Sequence, residues 1–216
     1  MGFLDSIVNK VKGSVESNVK GSVNREVNKS VNQAVKNVEN AITNAATTST
    51  KKFTFDAIPS TIDEFKALKG ADLKDPFAVT ALTILAFNAY VENKDAGTEM
   101  LNFLKGPETL SPTDFQFIRD RFMDGKSYVV KSYFKGAKPD NDYTPSQPLT
   151  IEVQEQAHSK DAFKEGYIKL WVTSGGADSA RYINLRTKPS TGEWFLWDYK
   201  GILLDIRKPV SQDKWA

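Results

Sequence analysis

The chain has 216 residues, 40% of them hydrophobic, and a formal net charge of +2 at pH 7. Its length predicts one domain, residues 53–216, behind an arm, residues 1–50. The arm's six basic and four acidic residues account for the whole net charge, so the rest of the chain is neutral and no nucleic-acid binding is expected of it. The absence of cysteine excludes disulfides, thiolate metal sites and cysteine nucleophiles.

The arm carries one apolar residue about every four positions on a background of Asn, Lys, Ser and Glu. This spacing predicts a long amphipathic helix with an apolar seam too thin to be stable without a partner. The seam comprises Val8, Val11, Val15, Val19, Val23, Val27, Val31, Val35, Val38 and Ile42. The arm is therefore expected to bind a surface outside itself.

The seam rotates along the arm, because each step of four residues overshoots a helical turn by about 40°. By Val27 the apolar side has moved nearly opposite to Phe3 and Ile7. Three interpretations follow. The arm supercoils with its own copies, it breaks into two helices near Gly21, or it bridges two different bodies.

Two sets of arm residues are the predicted contacts. The set for an oligomer or partner comprises Val27, Val31, Val35, Val38 and Ile42. The set for a membrane surface or a second partner comprises Phe3, Leu4, Ile7, Val8 and Val11. A homo-oligomer through the arm is expected. Because the sequence shows no secretory signal and no apolar run near 18 residues, we expect a cytoplasmic protein, with peripheral attachment to a membrane as an alternative.

The sequence of the first half of the domain predicts a short strand or extended lead-in at residues 53–58, followed by about four helices. Asp75-Pro76 is a strong helix start, since an aspartate cap precedes a proline at the first helical position. The apolar run that follows, residues 77–90, predicts a buried central helix. Three other helices are predicted. The first begins at the caps Ser60 and Thr61 and ends at Gly70, the second spans Ala96–Leu104, and the third runs from Ser111-Pro112 to Phe122.

After Gly125 the pattern changes to alternation of apolar and polar residues, which is typical of strands. The six strand candidates are Tyr128–Phe134, Leu149–Gln154, Tyr167–Thr173, Tyr182–Arg186, Glu193–Asp198 and Ile202–Arg207. Helices followed by strands predict an α+β domain, with the helices packed on an antiparallel sheet of five to six strands.

The loop Ser174–Ser179 is the best candidate for a ligand. Gly175 and Gly176 allow backbone amides to point at an anion, and Asp178 follows them. The same loop is also expected to be a turn between two strands, because a phosphate loop requires a following helix.

No catalytic, cofactor or metal site is predicted. His158 is the only histidine, so a triad or zinc site would need acidic residues for most of its members. Asp140 and Asp142 lack the spacing of a calcium loop. The aromatic residues near the strands are expected mainly in the core, and they are Tyr133, Tyr167, Trp171, Trp194, Phe195 and Trp197.

Four blocks of the second half resemble a family of uncharacterised bacterial domains. The blocks are residues 131–145 (KSYFKGAKPDNDYTP), 174–179 (SGGADS), 194–197 (WFLW) and 206–209 (IRKP), and the chain closes on Trp215-Ala216 as members of that family often do. The resemblance covers about residues 53–216, not the arm. It implies a bacterial protein and brings no established activity.

These features favour a non-enzymatic protein that self-assembles or docks through its arm and uses its domain for interaction. Two alternatives stay open. One is a small-molecule-binding or hydrolytic domain with a pocket between helices and sheet. The other is a peripheral membrane protein that does not assemble.

Overall fold

The computed structural model of the protein describes residues 49–215. The predicted arm helix, its break near Gly21 and both predicted contact sets, Val27 to Ile42 and Phe3 to Val11, lie outside the described residues. Within the described part, helices and strands form an α+β fold, as the sequence predicts.

Five strands form one antiparallel sheet, in which the spatial order is the order along the chain. The strands are β1 (Thr50–Phe55), β2 (Leu149–Gln154), β3 (Tyr167–Val172), β4 (Arg181–Lys188) and β5 (Glu193–Asp198). β2 to β5 follow four of the six strand candidates closely, and β1 begins before the predicted lead-in. The alternating pattern therefore identified most of the sheet.

The sheet has one buried face and one partly exposed face. In β3, Ile168, Leu170 and Val172 are buried, while the residues between them are partly exposed. The same period of two runs through β2 and β4, because successive side chains of a strand point to opposite faces. The inner face joins the hydrophobic core, and we call the opposite side the outer face.

Five α-helices lie within the described residues. They are α1 (Ile62–Lys66), α2 (Pro76–Glu92), α3 (Lys94–Lys105), α4 (Pro112–Phe122) and α5 (Tyr128–Lys131). The first four begin at side-chain caps, in which Thr61, Asp75, Asn93 and Ser111 accept hydrogen bonds from backbone amides. Three of these caps are the predicted ones. The fourth, Asn93, precedes α3, which begins at Lys94, two residues before its predicted start.

The central helix α2 holds the domain together. Every residue from Phe77 to Tyr90 is buried, and the helix contacts all five strands as well as α3 and α5. A helix that is apolar all round needs neighbours on every side, so the predicted buried central helix is confirmed. None of the helices within residues 49–215 combines the length and the apolar character that crossing a membrane requires.

The predicted strand Tyr128–Phe134 is wrong, because this segment forms the short helix α5 and a turn. Its backbone bonds locally, with the Ser132 amide donating to the Tyr128 carbonyl at 3.0 Å. The side-chain amide of Asn88 on α2 also donates to the Val130 carbonyl at 3.1 Å. With its polar groups satisfied in this way, the segment needs no sheet partner to be buried.

The predicted strand Ile202–Arg207 is also wrong. A 3-10 turn spans Lys200–Leu203, and Asp205 has a left-handed backbone with φ of 54°, which interrupts an extended strand. Ile202 is fully buried, and its carbonyl accepts the Tyr133 hydroxyl at 2.7 Å. The apolar residues of this segment thus reach the core from a turn.

Candidate binding surface

Three of the four blocks that carry the resemblance meet at the loop after β3. The Gly175 amide donates to the Ser132 carbonyl at 2.8 Å, and the Arg207 amide donates to the Gly176 carbonyl at 2.9 Å. The Tyr143 hydroxyl donates to the Arg207 carbonyl at 2.6 Å. Residues 131–145, 174–179 and 206–209 are therefore joined by hydrogen bonds, two between backbones and one from the Tyr143 side chain.

A chain of hydrogen bonds runs inward from the same loop. The Gly176 amide donates to the Ser174 hydroxyl at 3.1 Å, which donates to the Ser132 hydroxyl at 2.7 Å. The Ser132 hydroxyl donates to the Val129 carbonyl at 2.7 Å. Both serines are buried. The amides of Gly175 and Gly176 are thus engaged inside the protein, where they satisfy buried acceptors.

Asp178, the third residue of the predicted ligand loop, lies on the side of the loop that faces solvent. The Asp178 carboxylate lies 2.8 Å from the guanidinium of Arg207, and both side chains are exposed. A groove of about 520 Å³ lies beside Gly175 and is lined also by Lys138 and Lys208. Asp140 and Asp213 also line the groove, so it carries both signs of charge. The ligand role of Gly175, Gly176 and Asp178 stays a prediction.

The outer face of β3 to β5 repeats one arrangement, a cation lying over two aromatic rings. The residues involved, which we call the outer patch, are Tyr167, Lys169, Trp171, Tyr182, Arg186 and Trp197. In the first unit, the guanidinium carbon of Arg186 lies 4.9 Å from the ring centre of Trp197 and 5.5 Å from that of Tyr167. The two rings meet edge to face, with centres 5.6 Å apart.

The second unit of the outer patch has the same geometry. The ammonium of Lys169 lies 4.9 Å from the ring centre of Tyr182 and 5.9 Å from that of Trp171. These rings also meet edge to face, at 6.3 Å. Tyr182 is 39% exposed and Trp197 is 40% exposed, so each unit presents a ring to solvent.

Strand register explains how the outer patch forms. Tyr167 lies opposite Arg186 and Trp171 lies opposite Tyr182, so each pair shares the outer face. On the other side of β4, Leu185 faces Leu196 while Asn184 faces Asp198. This bulge leaves Trp197 without a partner residue, and a bulge re-aims the side chain that it carries.

The two cations of the outer patch stand apart from acidic side chains. Within residues 49–215, no carboxylate lies within 4 Å of Lys169 or Arg186. The aromatic faces attract both cations and limit their motion. The patch therefore presents two positive charges of limited mobility, and neither forms an ion pair that an incoming anion would have to displace.

A cavity of about 310 Å³ adjoins the outer patch where the loop after α3 approaches β4 and β5. Its apolar lining comprises Pro107, Pro189, Phe195, Leu196 and Trp197. Its charged lining comprises Lys105, Glu108, Arg186 and Lys188. Gly106 allows the loop to lie against the ring of Phe195, since a Cβ at this position would overlap the ring. Arg186 and Trp197 belong to both the cavity and the outer patch.

The other candidate groups lie apart from this surface. His158 is exposed, with Nδ1 3.0 Å from the carboxylate of Asp161. The Ser211 hydroxyl donates to the carboxylate of Asp142. No group of three or more His, Cys, Asp or Glu side chains that could hold a metal occurs among the described residues.

The expectation that the strand aromatics are mainly core holds for only some of them. Tyr133 and Trp194 are buried, whereas Tyr167, Trp171 and Phe195 are half-buried and Trp197 is exposed. The alternation of apolar and polar residues along the strands could have identified the outward-facing aromatic residues. The buried positions of β3 and β4 are aliphatic, so Tyr167, Lys169, Trp171, Tyr182 and Arg186 fall on the other face.

The comparisons with known proteins agree with the resemblance seen in the sequence. A family model described as a domain of unknown function (DUF6935) matches residues 57–210. No curated protein and no solved structure matches the chain. Because the family match spans more than half of the chain, the chain belongs to the DUF6935 family of domains of unknown function.

Proposed function

We propose that this protein is a non-enzymatic binding protein, in which the outer patch docks an acidic segment of a partner protein and the arm assembles copies of the chain. One observation carries the docking role. Lys169 and Arg186 each lie over two aromatic rings on an accessible face, with no carboxylate within 4 Å of them among the described residues.

The spacing of the two cations suits an extended acidic segment. Lys169 faces Asn184, and Arg186 faces Tyr167, so the cations are diagonal neighbours across β3 and β4. The Cα atoms of diagonal neighbours in a sheet lie roughly 7–8 Å apart, so the two side chains extend from backbone positions with this spacing. Carboxylates on alternate residues of an extended peptide lie roughly 7 Å apart and on one side of it. Each cation can therefore meet one carboxylate of the same segment.

The charge of the domain favours an acidic peptide over a nucleic acid. The arm carries the net +2, and the rest of the chain is neutral. A long polyanion gains most of its affinity from an extended basic surface. Two fixed cations within a neutral domain instead match a short segment with a few carboxylates.

The docking role is tested on the full chain with the unlabelled peptide Glu-Gly-Glu-Gly-Glu, titrated at low salt and followed by calorimetry. The variant Lys169→Gln with Arg186→Gln is expected to weaken peptide binding by about tenfold or more. The matched control Lys135→Gln with Lys164→Gln removes the same charge from exposed positions outside the patch.

Equal losses in the patch variant and the control would show attraction to net charge alone and would overturn the docking role. Tighter binding of an oligothymidylate than of the peptide would also overturn it. If the peptide binds and only the patch variant loses affinity, the proposal is supported.

The proposed assembly through the arm rests on the valine seam. The test measures the mass of the full chain by light scattering, before and after Val31→Ser with Val35→Ser. A wild-type mass that is a multiple of 24.1 kDa, lowered by this variant, supports assembly. A wild-type monomer would overturn it.

The membrane alternative predicts a different pattern of results. A monomeric chain that floats with anionic liposomes and is released by Ile7→Ser with Val11→Ser would favour peripheral attachment without assembly. The two pairs of substitutions lie about 120° apart around the predicted helix, so each tests a different surface of the arm.

A further inference from the structure

We propose that the cavity beside Arg186 is a binding site for a small planar aromatic carboxylate. This ligand is separate from the acidic segment of the proposed docking role, although both use Arg186. The proposal rests on the size of the cavity, on the balance of charge around it, and on the way Trp197 holds the arginine.

The size and apolar lining of the cavity suit a compact ring system. Its volume of about 310 Å³ lies at the lower end of the roughly 300–1,000 Å³ found for small-molecule sites. Two prolines and the side chains of Phe195 and Trp197 line it. A body of one or two fused rings would contact these apolar groups while keeping one edge at the charged rim.

The charged lining favours an anion. Lys105, Arg186 and Lys188 contribute three positive charges, and Glu108 contributes one negative charge. Within residues 49–215, none of these cations has a carboxylate within 4 Å. A single carboxylate on the ligand would therefore meet a net positive site without displacing an ion pair of the protein.

Arg186 supplies the selectivity for a planar acid. Its guanidinium carbon lies 4.9 Å from the ring centre of Trp197 and 5.5 Å from that of Tyr167, which places the group beside the Trp197 ring at the edge of the cavity. The N–H donors lie along the edge of a guanidinium, in a fork that matches the two oxygens of a carboxylate. The Trp197 ring, which also lines the cavity, offers a stacking surface for the aromatic body.

The first test compares 2-naphthoate with 2-naphthalenemethanol, a neutral compound of nearly the same shape. Each is titrated into the full chain and followed by calorimetry and by amide chemical shifts. We expect 2-naphthoate to bind at least about tenfold more tightly, because only it can pair with the cations. Equal affinities, or no saturable binding of 2-naphthoate at about 10 mM, would overturn the proposal.

The second test uses variants in the full chain. Arg186→Gln is expected to weaken 2-naphthoate binding about tenfold or more, and Arg186→Lys to weaken it less, because a lysine keeps the charge without the fork. Trp197→Ala is expected to weaken binding as well, whereas Trp215→Ala, at a residue 96% exposed, is the matched control. Wild-type affinity in both Arg186 variants would overturn the assignment.

Lys169→Gln separates this proposal from the docking role. Lys169 belongs to the outer patch and does not line the cavity. The Lys169→Gln variant is expected to bind the acidic peptide more weakly and to bind 2-naphthoate as tightly as the wild type. If the peptide fails to bind while 2-naphthoate binds through Arg186, the docking role is wrong and the cavity site stands. If the peptide binds and 2-naphthoate does not, the cavity site is wrong.

Discussion

The hydroxyl of Ser174 donates a hydrogen bond to the hydroxyl of Ser132 at 2.7 Å, which joins the loop after β3 to the turn after α5. Both side chains are buried. The Ser174 oxygen also accepts the Gly176 amide at 3.1 Å. One side chain therefore satisfies a buried donor and a buried acceptor at the meeting point of two sequence blocks.

Replacing Ser174 with alanine is expected to destabilise the protein. The change leaves the buried Gly176 amide without its acceptor, and an unsatisfied buried group costs about 1–3 kcal/mol. The free energy of unfolding is measured by urea denaturation. Ser190→Ala, at an exposed position, is the control. If both variants unfold at the wild-type urea concentration, the hydroxyl chain contributes nothing to stability.

Gly175→Ala tests how closely the loop approaches the turn before Pro139. A Cβ at Gly175 would overlap the carbonyl oxygen of Ala137, and the backbone cannot move aside as a flexible side chain would. We expect a loss of about 3 kcal/mol in the free energy of unfolding.

The control for this substitution is Gly192→Ala. Gly192 has φ of 68° and open space around it, so alanine costs only about 1–2 kcal/mol of backbone strain. A smaller loss at Gly175 than at Gly192 would contradict the close packing of the loop.

Tyr143→Phe is expected to change how stability depends on pH. Burial raises the pKa of Tyr143 to about 12, although the nearby Arg207 lowers it. In the unfolded chain a tyrosine loses its proton near pH 10. Raising the pH from about 10 towards 12 therefore favours the unfolded state, and stability falls.

At neutral pH this variant loses the hydrogen bond to the Arg207 carbonyl and is expected to be less stable by about 1–2 kcal/mol. Above pH 10 the difference from wild type should shrink, because phenylalanine has no proton to lose. Urea denaturation at pH 7, 10 and 11 measures both effects, with Tyr182→Phe on the exposed face as the control. A difference that stays constant with pH would contradict the prediction.

Asp114→Asn tests the opposite end of the pH scale. Burial raises the pKa of Asp114, but hydrogen bonds from Ser111 and from the Tyr199 hydroxyl outweigh burial and hold it below its ordinary value. The stabilisation is therefore complete above the unfolded pKa near 4 and is lost as the pH falls through the folded value.

The variant is expected to lower stability by about 1–2 kcal/mol at pH 7, and the difference from wild type should shrink below pH 4. Urea denaturation at pH 7 and pH 3 measures this, with the exposed Asp56→Asn as the control. Equal differences at the two pH values would show that the charge of Asp114 is not what stabilises the cap of α4.

Sequence reasoning identified the elements whose signals are local. Asp75 followed by Pro76 fixes the start of α2, because the cap and the first helical position need nothing from the rest of the chain. The prediction of a strand at Glu193–Asp198 has the observed bounds, because a short run of aromatic and aliphatic residues directly follows the turn residues 190–192. The family blocks were also visible, since they are runs of the chain itself.

The segment Tyr128–Phe134 is one whose structure the local sequence does not predict correctly. Its β-branched and aromatic residues favour a strand, yet contacts with α2, including the bond from Asn88 to Val130, stabilise a helical turn. The outer patch was missed for a related reason. Aromatic content alone does not distinguish the core from an exposed face, and the bulge that re-aims Trp197 depends on pairing with β4.

The sequence by itself determined the helix starts, most of the strands, the neutral charge of the domain and the valine seam of the arm, because each depends on neighbouring residues or on composition. The tertiary structure decided which aromatic residues face outward, that Arg186 lies between Tyr167 and Trp197, and that Ser132 meets Ser174. These are contacts between residues far apart in the chain, and only strand register and the packing around α2 bring them together.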